Sequence, residues 1–137
     1  MKESEKEYMA AEGYALMGAV FEVHREQGRG LSEEIYQESL EKELERQGIA
    51  YSSKAELAVY YKGDRLKKVY IPDLLVSHEI IAELKAVKAL VPEHEQQLLN
   101  YMHITKKAVG YLINMRPASV EWKRFIIQEY IPSESAN

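Results

Sequence analysis

Residues 70–86 read YIPDLLVSHEIIAELKA. Two apolar runs flank the short polar Ser77-His78-Glu79, the pattern of two neighbouring strands joined by a tight turn. Asp73, Glu83 and Lys85 interrupt those runs where apolar residues belong. Buried charge is costly unless it is paired or binds a metal. In a strand alternate residues share a face, so Glu83 and Lys85 point one way while Ala82 and Leu84 point into the opposite layer. A hairpin centred near Ser77 and His78 sets residue 73 opposite residue 82 or 83, so Asp73 and Glu83 come within a few ångströms of each other.

Two carboxylates held that close repel unless something positive lies between them. A divalent cation is the natural partner, because Mg²⁺ prefers oxygen ligands and commonly takes one or two protein carboxylates with several waters. Lys85, on the face of Glu83, would position or deprotonate a metal-bound water and neutralise a phosphate. Pro72 suits a strand end or bulge.

Upstream, residues 55–76 hold two strands joined at Lys62-Gly63-Asp64-Arg65, and residues 79–87 form a third. Residues 4–26 carry Met9, Leu16, Met17, Val20 and Val23 at helical spacing, closed by Gly28-Arg29-Gly30. A second helix runs from Ser32, an N-cap, to Gln47, with Gly48 as its stop. Downstream, Pro92 opens a helix to about residue 104, and residues 107–115 form a continuously apolar strand of the kind covered on both faces. Residues 120–130 read as a last strand and the tail from Pro132 as frayed. The order is α-α-β-β-β-α-β-β, an α/β fold with a mixed β-sheet flanked by helices.

With 137 residues and no internal linker, the expectation is one domain over 1–137. The chain has no cysteine, so neither disulfides nor thiolate metal sites are available, which fits a cytoplasmic protein. No membrane partner is expected, because no run approaches the roughly 18 apolar residues of a span. The net charge of −4 argues against nucleic-acid binding over the whole surface but leaves room for a basic patch. Lys67-Lys68 and Lys106-Lys107 read first as solvated faces.

The spacing Pro72-Asp73, then Glu83-Leu84-Lys85, resembles the PD-(D/E)XK nuclease superfamily. Gly30 to Tyr36 spells G-x-x-E-x-x-Y, the signature of the small GxxExxY family within it. His94-Glu95-Gln96-Gln97-Leu98-Leu99-Asn100-Tyr101 resembles that family's H-E-x-Q-L-L-N-Y element, and Gln97 and Tyr101 match the Q-x-x-x-Y of RecB-like nucleases. The resemblance covers about residues 20–115; Arg29 stands where the family loop usually has proline.

The resemblance implies a restriction-endonuclease-like core and a nuclease-like phosphodiester hydrolase using Mg²⁺ or Mn²⁺. Its partner would be nucleic acid, DNA in the first instance, engaged by a possible homodimer. Asp73 and Glu83 would bind the metal with the Leu84 carbonyl, Lys85 would be the catalytic lysine, and Glu33 would join the metal directly or through water. Gln97, Tyr101 and His94 would border the site and contact substrate.

Each residue also has a plainer reading. Glu83 and Lys85 can form an ordinary ion pair, Glu33 can serve the helix dipole, and His94 can cap its helix. His24 reads as structural or as a support behind the site's own residues, and Tyr36 as a packing residue with its hydroxyl within reach of the site. The rival function is a noncatalytic module that keeps the nuclease fold and binds nucleic acid or protein; a further rival is a structural protein with its charges paired.

Overall fold

A computed structural model describes residues 2 and 4–133. The expected frayed tail lies largely outside the described residues, at 134–137. Helices α1 (Ala10–Gln27) and α2 (Glu33–Arg46) come first. Strands β1 (Tyr51–Ser53), β2 (Leu57–Tyr61), β3 (Asp64–Tyr70), β4 (Leu74–Val76) and β5 (Ile80–Lys85) follow. Helix α3 (Pro92–Thr105), strands β6 (Val109–Asn114) and β7 (Glu121–Ile126), and a 3₁₀ turn at Gln128–Tyr130 complete the chain. Among the described residues no helix is long and apolar enough to cross a membrane.

Two strands go beyond the expected order. Tyr51–Ser53 is a strand, and the long run ending at Val76 is split at Ile71-Pro72-Asp73 into β3 and β4, which belong to different sheets. Pro72 has no N–H to give and a fixed φ, so the β3 ladder cannot continue through it. The hairpin β2–β3 therefore stands as a separate two-stranded sheet, while the main sheet has the order β1-β4-β5-β6-β7. Its one parallel pair, β5 and β6, is joined through α3. The first helix starts at Ala10 rather than near residue 4, because Met9 sits in the left-handed region at φ 57°.

The sheet separates two cores. Leu74, Ala82, Leu84, Tyr111 and Ile113 pack under α1 and α2 with Leu16, Val20, Tyr36 and Leu40. Ile81 and Leu112, one residue out of phase, pack under α3 and the hairpin with Leu57, Val59, Tyr70, Leu98 and Met102. All six residues of β6 are buried, the mark of a strand covered on both faces. Gly110 lets α3 lie close, since a Cβ there would meet Met102 Sδ at 2.5 Å.

The loop after β5 is fixed by the far end of β6. Asn114, paired with Lys85 in the ladder and fully buried, accepts the Val87 N–H at 3.0 Å. Its amide donates to the Val87 carbonyl at 2.9 Å and to Glu121 Oε1 at 3.1 Å. Glu121 in turn accepts the Leu90 N–H at 2.9 Å, just before α3 begins. Replacing Asn114→Leu leaves buried loop groups without partners, at about 2 kcal/mol or more. Urea denaturation is expected to show that loss, and an unchanged midpoint would show the loop holds without it.

Candidate functional site

Asp73 occupies the gap between the two sheets. The ladder pairs Leu74 with Ala82 and Val76 with Ile80, and the same register carried one step further sets Asp73 opposite Glu83. The turn that fixes this register has Ser77 and His78 at φ 50° and 66°, closed by the Glu79 N–H on the Val76 carbonyl at 3.2 Å. Asp73 shares its face with Leu75 and Ile81, which pack towards α3.

The local backbone holds Asp73 firmly. Its carbonyl accepts from the Lys54 N–H at 3.2 Å and from the Gln37 side-chain amide at 2.9 Å. Its Oδ2 accepts the Leu84 N–H at 2.8 Å. N–H and C=O of one strand residue face the same edge, so the Leu84 carbonyl also faces the edge at which β4 has just ended.

Glu83 lies beside Asp73 in a half-buried position, and its carboxyl is pushed up to about 8. Burial is the main cause, followed by the charge of Asp73, and a hydrogen bond between the two acids adds to it. Glu83 thus favours keeping its proton over setting a second negative charge beside Asp73. The Tyr70 hydroxyl donates to Glu83 Oε1, and burial together with that acid raises the phenol far above its ordinary range. The Tyr70 ring stacks on Tyr101 with centroids 3.8 Å apart and planes 9° apart.

Glu83 and Lys85 open with Tyr70, His94, Gln97, Leu98 and Tyr101 onto one cavity of about 160 Å³. At roughly 30 Å³ per water, that is room for a phosphate group with a few waters. Lys85 makes no salt bridge among the described residues, so the ordinary Glu83–Lys85 ion pair is not what forms. His94 does two things: its Nδ1 accepts the Val91 N–H at 3.1 Å at the start of α3, and its ring faces the cavity. With Nδ1 accepting, the neutral ring carries its proton on Nε2. A larger cavity of about 500 Å³ lies between α1 and β6–β7, but no acid lines it.

Other residues fall elsewhere. Glu33 is exposed in the first turn of α2, and among the described residues no three of His, Cys, Asp and Glu gather closely enough to hold a metal. Glu33 is thus not brought against Asp73 and Glu83, although it shares a helix face with Gln37, one turn on, which does bind Asp73. Tyr36 is fully buried, and its hydroxyl donates to the Gly28 carbonyl at 2.7 Å and accepts the Leu31 N–H at 3.2 Å. It clamps the loop before α2 rather than reaching the cavity. His24 Nε2 contacts the Pro117 carbonyl at 2.8 Å, a structural tie.

Two site residues were not legible in the sequence. Lys54 Nζ forms an ion pair with Asp73 Oδ1 at 2.9 Å, and Tyr70 holds Glu83. Lys54 follows the three-residue β1 at φ 53° and carries no local signature. Tyr70 offered only its place two residues before Pro72.

The donor set suits a small hard cation. Two carboxylates in contact, one of them favouring a proton, are what such an ion would replace that proton to join, with the Leu84 carbonyl beside them.

Comparison with known proteins agrees with this architecture. The sequence pattern of the family described as "PD-(D/E)XK nuclease superfamily" matches residues 10–125. No curated protein sequence matches the chain. The crystal structure of SSO0001 shares the fold, with a TM-score of 0.54 and 17% identity over 68% of this chain and 50% of that one. An alkaline exonuclease (LHK-Exo) from Laribacter hongkongensis superposes with a TM-score of 0.45 and 14% identity, over 63% of this chain and 51% of that one. The chain thus spans about half the length of these solved structures. The expected restriction-endonuclease-like α/β core is the one that forms.

The raised Glu83 carboxyl has a measurable consequence. It starts from 4.5 in the unfolded chain and reaches about 8 in the fold, so the folded state holds the proton more tightly. That stabilisation is complete below pH 4.5 and is lost as pH rises through about 8. In chelator, stability is expected to fall across this window by at most about 1.4 kcal/mol per pH unit, and the melting temperature falls with it. Glu83→Gln should flatten the slope; parallel profiles for the two proteins would refute this account of the acid pair.

Proposed function

The chain belongs to the PD-(D/E)XK nuclease superfamily, and from that premise we propose that it is a metal-dependent phosphodiester hydrolase acting on nucleic acid, DNA in the first instance. The observation that carries this reading is the contact of Asp73 with Glu83, beside a cavity that also takes in the unpaired Lys85. Asp73, Glu83 and the Leu84 carbonyl would hold Mg²⁺ or Mn²⁺, with Glu33 reaching it through a bridging water. Bound there, the ion lowers the pKa of water and absorbs charge on the phosphate.

The remaining work falls to the chain's own groups. Glu83 would give up its proton to join the ion, and the Tyr70 hydroxyl, which donates to Glu83 Oε1, would keep the carboxylate oriented. Lys85, without an acidic partner, holds the attacking water or a phosphate oxygen by its ammonium. His94 Nε2–H, the Gln97 amide and the Tyr101 hydroxyl supply donors along the cavity wall for the substrate backbone. The finer assignment to the GxxExxY family is supported by Gly30, Glu33 and Tyr36, whose spacing has a mechanical meaning in the Tyr36 clamp on residues 28–31. We read residues 1–137 as one nuclease-like domain, and a homodimer would offer one such site to each strand of a duplex.

One observation favours a second reading. Lys54 already sets a positive charge on Asp73, as a noncatalytic module that binds nucleic acid or protein would do once it had dispensed with the ion. Cleavage and metal binding separate the two. Asp73→Ala and Lys85→Ala are expected to abolish Mn²⁺-dependent cleavage of DNA with the melting transition kept; wild type that cuts neither DNA nor RNA with any divalent ion would favour the module.

Competition between Lys54 and the ion gives a separate test. Lys54→Met should bind Mn²⁺ several-fold more tightly by titration calorimetry, because Asp73 Oδ1 is then free. Equal or weaker binding would mean that the ammonium does not compete.

A further inference from the structure

Apart from Tyr70 at its root, the proposed function assigns no role to the hairpin β2–β3, yet this ribbon has an unusual surface for an acidic protein. Residues 64–68 of β3 are exposed without a break. In a chain of net charge −4, the ribbon concentrates Lys62, Arg65, Lys67 and Lys68 against the single acid Asp64. Lys62 lies over the exposed Tyr61 ring, 5.5 Å from its centroid. Arg65, Lys67 and Lys68 take part in none of the side-chain hydrogen bonds or ion pairs among the described residues. Most other cations near the site are engaged, Lys54 by Asp73 and Lys123 by Glu95.

The root of the ribbon is the candidate site itself. β3 ends at Tyr70, which holds Glu83 and stacks on Tyr101, and Ile71 lines the same cavity. At about 3.3 Å per strand residue, Lys68 stands roughly 7 Å and Arg65 roughly 17 Å along the ribbon from Tyr70. Phosphates follow one another by about 3.4 Å of rise along each DNA strand. The three cations therefore span some two to five nucleotide steps from the cavity. A two-stranded β-ribbon also has the width that the major groove of a duplex accepts.

We propose that the β2–β3 hairpin is a nucleic-acid-gripping arm, in which Arg65, Lys67 and Lys68 bind backbone phosphates of the strand whose phosphodiester enters the cavity of Glu83 and Lys85. This rests on the reading of that cavity as a nuclease site. The cations are complementary to a polyanion and none of them lines the cavity of Glu83 and Lys85, so the arm acts on binding and on salt dependence. It is a sequence-independent grip, because phosphate contacts position a duplex without reading bases.

The experiment is fluorescence anisotropy with a labelled 20-base-pair DNA duplex in chelator, comparing wild type with R65Q/K67Q/K68Q over a range of salt. Cleavage of the same duplex with Mn²⁺ is followed in parallel. The triple variant is expected to bind at least tenfold more weakly near 0.1 M salt. The slope of log affinity against log salt should fall by about 0.9 per lost phosphate contact, two to three in all. Its melting temperature and Mn²⁺ affinity should match wild type, which excludes misfolding as the cause.

Wild type that binds or cuts the duplex, beside a triple variant of equal affinity and slope, overturns the arm and leaves the nuclease reading standing. Wild type that neither binds nor cuts overturns both. Polyglutamate that displaces the duplex at equal charge concentration would make the ribbon a general polyanion surface and overturn the nucleic-acid assignment.

Discussion

The site depends on one unfavourable contact: two acids, Asp73 and Glu83, face each other across neighbouring strands in a half-buried position. Such a pair persists only if the surrounding structure imposes it, and here several elements do. Pro72 ends β3 and releases Asp73 into the gap before β4. The Leu84 N–H, the Gln37 amide of α2 and both polar ends of Lys54 after β1 then hold the aspartate on all sides. Tyr70 performs the same service for Glu83, and Tyr101 of α3 supports Tyr70 from behind. The junction of the two sheets and the acid pair are one structural feature.

The part legible in sequence was the part governed by period and by turn length. Alternation placed Glu83 and Lys85 on one face with Ala82 and Leu84 on the other, and the short Ser77-His78-Glu79 connector narrowed Asp73 to a place opposite residue 82 or 83, of which the ladder takes 83. The unbroken apolar run of β6 announced a strand between two layers, and Pro92 marked the start of α3. β1 was not legible, because three residues reading Tyr-Ser-Ser give no period to count. Pro72 was legible as a break, but that the hairpin it releases packs on α3 as a sheet of its own is a tertiary outcome. Lys54 and Tyr70 reach the acids from 19 and 13 positions away, and their residue types are common on any surface.

The G-x-x-E-x-x-Y spacing divides into parts with separate physical duties. The tyrosine closes the loop at residues 28–31 on itself, which fixes where α2 begins. One residue later, Gln37 carries that fixed position to the Asp73 carbonyl. The glutamate, one turn earlier on the same face, stays in solvent. A signature that reads as a single motif is thus a mechanical clamp, a strut and an exposed acid in succession.

The two margins of the main sheet differ from its centre in a way that bears on how the protein behaves when crowded. On one side the sheet ends in the three-residue β1, broken off by the left-handed backbone of Lys54. On the other, β7 sets Glu121, Lys123 and Arg124 along its length. A foreign strand approaching either margin finds too short a row of free amides or a line of charges in its way. The apolar interior strands are thereby kept from seeding the edge-to-edge stacking by which β-rich chains aggregate.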